Sequence, residues 1–140
     1  MKKYIFAALI LVFLFGLIQL IPYGRNHTNP AVVSEPTWDN PVTRDLVKIA
    51  CFDCHSNETI WPWYSNIAPI SWLVYRDVVE GRSHMNFSDW VSRPRSANEI
   101  SSIIAEGEMP PFQYTIIHRS AILDITQKNS LIQGITNTLK

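Results

Sequence analysis

Two cysteines occur in the 140-residue chain, and both lie in the run Cys51-Phe52-Asp53-Cys54-His55. Two thiols separated by two residues and followed at once by an imidazole suit one chemistry above others. The thiols add across the two vinyl groups of a porphyrin, and the histidine becomes an axial ligand of its iron. The spacing has a geometric reason: two intervening residues let one turn of chain span both vinyl positions, and the adjacent histidine brings its ring beneath the iron. Three other chemistries compete for the same residues. A thioredoxin-like dithiol wants a β-strand ahead of it and a helix N-terminus that lowers the first thiol's pKa, whereas the pattern here predicts a helix ending at the motif. A zinc site needs four ligands, and His84 and His118 would have to complete it from no recognised spacing. A local disulfide gives no part to His55. One covalent haem is therefore the expected cofactor, with Cys51, Cys54 and His55 holding it.

The group on the other side of the iron decides between an electron carrier and an enzyme. Met109, Met85, His84 and His118 are the candidates. Met109 stands in Gly107-Glu108-Met109-Pro110-Pro111, where two prolines restrict the backbone and lower the entropy lost in holding a thioether on iron. Met85 reads as core filling, and the two histidines as surface or haem-edge residues. Met109 is the expected sixth ligand, and a neutral thioether favours ferrous iron and one-electron exchange.

The elements that must position these residues follow from periodicity and caps. Asn40 before Pro41 predicts an N-cap and first helical residue, and Val42, Leu46, Ile49 and Ala50 then share a face. A second helix is predicted from Pro69 through Ile70, Leu73, Val74 and Val78, with Gly81 as its C-terminal stop. Ser96 and Glu99 form a capping-box pattern ahead of Ile100, Ile103 and Ile104, closed by Gly107. A terminal helix from about Thr126 carries Leu131, Ile132, Ile135 and Leu139, weakened by Gly134. No strand-length alternation is present, so the expected fold class is all-α.

Lys2 and Lys3 precede Tyr4 to Ile21, an apolar run without a charge. Its length, and the absence of a small-x-small pair after it, favour a retained signal anchor over a cleaved signal. The expected organisation is a transmembrane segment over 1–24, a polar tether over 25–38 carrying Pro30 and Pro36, and a domain over 39–140. Positive charge at the start stays cytoplasmic, so a single-pass bacterial inner-membrane protein would place that domain in the periplasm. From Asn26 onward nine basic residues stand against all twelve acids. No basic face is available for nucleic acid.

The blocks Cys51-Phe52-Asp53-Cys54-His55-Ser56-Asn57, Trp61-Pro62-Trp63-Tyr64 and Ile67-Ala68-Pro69-Ile70-Ser71-Trp72-Leu73 occur with Gly81-Arg82, Asn86-Phe87-Ser88 and Met109-Pro110-Pro111. Together they resemble the bacterial haem-binding domain family, small monohaem relatives of cytochrome c, from about Asn40 to Leu139. The resemblance implies thioethers at Cys51 and Cys54, His55 as proximal ligand and Met109 as distal ligand. Arg119 after His118 departs from the expected proline, which bears on the start of the last helix and touches no ligand. Trp61, Trp63, Tyr64 and Trp72 are many large rings for a polar loop, and a flat apolar cofactor would cover them, although core packing accounts for each ring separately. The combined expectation is a cytochrome c-like helical domain with terminal helices packed together, exchanging electrons with redox partner proteins. The alternative is a haem enzyme or gas sensor with an open sixth site, for which His84 near Arg82 is the nearest acid/base pair.

Overall fold

Asn40 and Pro41 start the helical domain as their chemistry dictates. The Asn40 side chain accepts a hydrogen bond from the Thr43 amide at 3.0 Å, and Pro41 occupies the first helical position, where its missing N–H costs nothing. In the computed structural model, which describes residues 1–140, seven helices follow in chain order. They are α1 (Lys2–Ile18), α2 (Pro41–Ala50), α3 (Phe52–His55), α4 (Ile70–His84), α5 (Ala97–Glu106), α6 (Phe112–Ile117) and α7 (Ile125–Thr138). The fold is all-α, and the only extended pairing is an isolated bridge between Ser34 and Asp89.

The chain divides into two units, one of residues 1–28 with 61–77 and one of residues 29–60 with 78–140. In the second, α7 packs against both α5 and α2, so the first and last helices of that unit meet as expected. Leu46, Val47, Phe52, Phe87, Ile100, Ile104, Leu131 and Ile135 form its core. The buried face of α2 is Thr43, Leu46, Val47 and Ala50, one position round from the expected face, and Val42 and Ile49 are exposed. Gly134 of α7 explains the rotation. A Cβ there would overlap the Thr43 hydroxyl and lie 2.8 Å from Thr43 Cβ, so Gly134 is where two helices approach closely, not merely a weak point.

Caps bound the other helices. Ser96 accepts from the Glu99 amide at 3.2 Å, while the Glu99 carboxylate pairs with Arg95 at 2.9 Å. Gly107 ends α5 at φ +79°, in the left-handed region that favours glycine. α7 begins one residue before the expected position, because Asp124 and Gln127 form a reciprocal capping box.

The stretch expected as a tether is bonded to the second unit from Asn29 on. Asn29 donates to the Thr59 carbonyl at 2.9 Å, the Ala31 carbonyl accepts from Asn57 at 2.9 Å, and the Val33 amide donates to Ser88 at 2.8 Å. Glu35 takes a two-pronged bond from Arg44, both arms 2.8 Å, and a third from the Trp38 indole at 2.7 Å. Arg44 holds the Glu35 carboxyl below the usual carboxylate range against the opposing effect of burial. The contribution of this pair is therefore complete above that range and fades as acid titrates Glu35.

In the first unit, Gln19 both donates to and accepts from the Ala68 backbone, at 2.9 and 3.0 Å. Gly24 sits at φ +81° against the Ser71 carbonyl, where any Cβ would collide. The expected transmembrane helix over 1–24 needs correction. α1 has 17 residues, about 25 Å at ~1.5 Å each, against a hydrocarbon core of roughly 30 Å. It closes at Gln19, which turns to Ala68, and no helix is long and apolar enough to cross a membrane. Its side chains from Lys2 to Leu17 are exposed.

The α2–α7 approach makes a definite demand. Gly134→Ala should lower the stability of the domain by about 1–3 kcal/mol in urea unfolding. Thr43→Ala introduced with it should recover part of the loss, whereas a neutral Gly134→Ala would contradict the close approach.

Candidate functional site

α2 ends at Cys51, whose backbone leaves the helical region at φ −129°, and the chain re-enters as the single turn α3. This break turns the motif back on itself, with the His55 amide donating to the Cys51 carbonyl at 2.9 Å. No disulfide joins Cys51 and Cys54. Burial, with the neighbouring Cys54, pushes the Cys51 thiol up to about 12. A dithiol exchanger lowers the pKa of its attacking thiol, so the shift at Cys51 runs the opposite way. No cluster of three or more His, Cys, Asp or Glu side chains is placed to hold a metal ion.

His55 Nδ1 lies 2.9 Å from the Gly81 carbonyl and 3.2 Å from the Met85 carbonyl. Both partners accept only, so Nδ1 carries the proton and Nε2 keeps its lone pair. Burial holds the imidazole below its ordinary pKa, while the two carbonyls pull the other way. The ring is thereby held as a neutral imidazole with the Nε2 lone pair unprotonated, a tautomer compatible with metal binding.

Gly81 was expected to end a helix, yet α4 runs through it to His84. A Cβ on Gly81 would overlap the Cys54 carbonyl and lie 3.0 Å from Cys54 Cβ. Glycine at this position lets α4 touch the motif and brings its carbonyl to His55. Behind the motif, Arg82 donates to the Ser56 carbonyl at 2.7 Å, to Asn29 at 2.7 Å and to Thr59 at 2.8 Å. Its guanidinium is occupied in holding the loop after the motif, and His84 is exposed, so the pair expected of a peroxidase-like alternative is not assembled. Asn57, Asn86 and Ser88 are buried and mutually bonded, and the Phe87 amide donates to the His55 carbonyl at 2.8 Å.

Met109 follows the left-handed turn at Gly107 and precedes a cis bond to Pro110. It is 39% exposed and lines a cavity of about 370 Å³ with Ile104, Phe112, Ile116 and Ile122, edged by Arg119 and Lys128. Met85 packs against the core, as expected of core filling, and lends its carbonyl to His55. His118 stacks on Tyr114 with ring centres 4.1 Å apart. Tyr114 and Asp53 were not singled out from sequence, although their side chains meet at 2.7 Å across 61 positions. Nothing local marks such a pair beyond Asp53 lying between the cysteines.

Trp61, Trp63, Tyr64 and Trp72 belong to the first unit. Trp61 stacks on His27 with centres 4.4 Å apart, and Trp63, 76% exposed, meets Tyr64 edge-on. The buried Trp72 indole N–H has no hydrogen-bond partner, a donor for which the polypeptide supplies no acceptor.

The residues of the motif, a neutral imidazole with a free lone pair in the same turn as two thiols, fit a haem. The haem-binding domain family model matches residues 13–137, and the chain belongs to that family. No curated protein and no solved structure matches it.

Arg82→Lys removes the fork that reaches Ser56, Asn29 and Thr59 together. The variant should unfold at lower urea, with a loss of about 1–3 kcal/mol. Unchanged stability would show that this bracket behind the motif is dispensable.

Proposed function

We propose that the chain is a monohaem c-type cytochrome, an electron carrier with a cytochrome c-like site rather than an enzyme. The observation that carries this reading is His55 Nδ1, bonded to the carbonyls of Gly81 and Met85 and leaving Nε2 as the iron-facing donor. Cys51 and Cys54 would hold the haem by thioethers, each formed by adding S–H across a vinyl group, and Met109 would supply the second axial ligand. The bound iron supplies reversible one-electron exchange. The polypeptide keeps the imidazole neutral, holds its plane and limits the movement of the Met109 segment through Pro110 and Pro111. Electrons would pass to and from redox partner proteins at the exposed haem edge.

The exposed apolar helix α1 behind Lys2 and Lys3 supports a place at the bacterial inner membrane, with the haem domain on the periplasmic side. It would act as the export segment and, being too short to span the bilayer, would lie at the periplasmic membrane surface through its apolar side chains.

Haem should survive acid–acetone extraction and denaturing electrophoresis in the wild type and be lost when both cysteines become alanine. Ferric wild type should show the weak sulfur-to-iron band at the red end of the visible spectrum, and Met109→Ala should abolish it, lower the midpoint potential and admit carbon monoxide. Wild type that already binds carbon monoxide and turns over peroxide would favour the enzyme or sensor instead. Separately, the full-length protein should fractionate with membranes, its domain open to protease only from the periplasmic side. Recovery in the cytoplasmic fraction would refute the localisation.

A further inference from the structure

Asp53, the second residue between the cysteines, is held at three points. Its carbonyl accepts from the Thr59 hydroxyl at 2.7 Å, its Oδ1 accepts from the Ile60 amide at 3.0 Å, and its Oδ2 accepts from the Tyr114 hydroxyl at 2.7 Å. The first fixes the backbone of the residue and the second one oxygen of its carboxylate, which leaves Oδ2 for Tyr114. Tyr114 is equally restrained, because its ring stacks on His118 within 5° of parallel. It stands in α6, the helix that starts directly after Met109-Pro110-Pro111, and its amide donates to the Pro111 carbonyl at 3.0 Å. Four residues lie between Met109 and Tyr114, two of them prolines with fixed φ. The Thr115 hydroxyl bonds within its own helix, to the Phe112 carbonyl at 2.9 Å.

We propose that the Tyr114–Asp53 hydrogen bond latches the Met109 arm to the cysteine-bearing turn, making Tyr114 a positioning residue for the sixth iron ligand. This rests on the reading of Met109 as that ligand. Met109 is otherwise open to solvent at one side, and a thioether binds iron weakly enough that the cost of holding its backbone decides how much of the time it is bound. A hydrogen bond to a carboxylate, reaching from the turn that carries both haem bonds, supplies that restraint. Tyrosine is required for its hydroxyl as well as its ring.

The test uses the haem-loaded full chain at constant neutral pH. Added imidazole competes with Met109 for ferric iron, so its apparent affinity reads the ratio of Met-bound to Met-free protein. Tyr114→Phe, which keeps the ring, should retain covalent haem and helicity while raising apparent imidazole affinity about tenfold and lowering the midpoint potential. Asp53→Asn keeps an acceptor and the Ile60 bond and should move both readouts the same way by less; it stands in should Tyr114→Phe fail to fold. Unchanged imidazole affinity and potential in Tyr114→Phe, with the sulfur-to-iron band lost in Met109→Ala, would overturn the latch and leave the ligand reading intact. A band that survives Met109→Ala would overturn the ligand reading, and the latch with it.

Discussion

The site depends on the contact between α4 and the cysteine-bearing turn at Gly81. Without a side chain there, the helix backbone comes close enough for the Gly81 carbonyl to accept the His55 Nδ1 proton. One missing methyl thus sets a tautomer, and the tautomer decides which ring nitrogen keeps its lone pair for the proposed iron. The same approach buries His55, and burial keeps the ring neutral and able to donate its lone pair. Geometry, protonation and ligand strength follow from one steric allowance.

Holding a turn of four residues in place requires more than one contact, because α3 is too short to be stable alone. Phe52 anchors it in the core beside Phe87, and polar groups on the opposite side are paired with one another instead of with water. Arg82 brackets the exit of the turn, and Asp53 carries bonds from Thr59, Ile60 and Tyr114. Every buried group in this set that finds a partner avoids a desolvation penalty, and each partner removes a direction in which the motif could move. Rigidity suits the proposed electron carrier, since a ligand set that barely moves between oxidation states needs little rearrangement for each transfer.

The Met109 side is built differently. Its segment is bounded by a left-handed glycine and two prolines, and it faces an open cavity instead of a close-packed core. Local backbone restriction and a single side-chain bond to the motif take the place of packing there. α1 is different again, an apolar helix exposed on all sides, whose surface is not explained by anything the chain itself buries.

Much of this was legible locally. The cysteine and histidine spacing, the Asn40 and Ser96 caps and the left-handed Gly107 depend on neighbours within a few residues, so local chemistry was enough to read the all-α class, α2, α5 and a haem-binding domain. Where partners lie far apart along the chain, local patterns misled. Gly81 and Gly134 look like a stop and a weak point, because a glycine's propensity is visible in sequence while the backbone or side chain pressed against it is not. The buried face of α2 turned by one residue for the same reason, and α1 closes at Gln19, whose side-chain amide bonds the distant Ala68 backbone. Arg82 with Asn29, and Asp53 with Tyr114, are separated by 53 and 61 positions. The motif alone thus determined which residues have the chemistry for haem, whereas only the tertiary structure decided which nitrogen of His55 is free to use it, because that depends on how closely two distant stretches of backbone are able to approach.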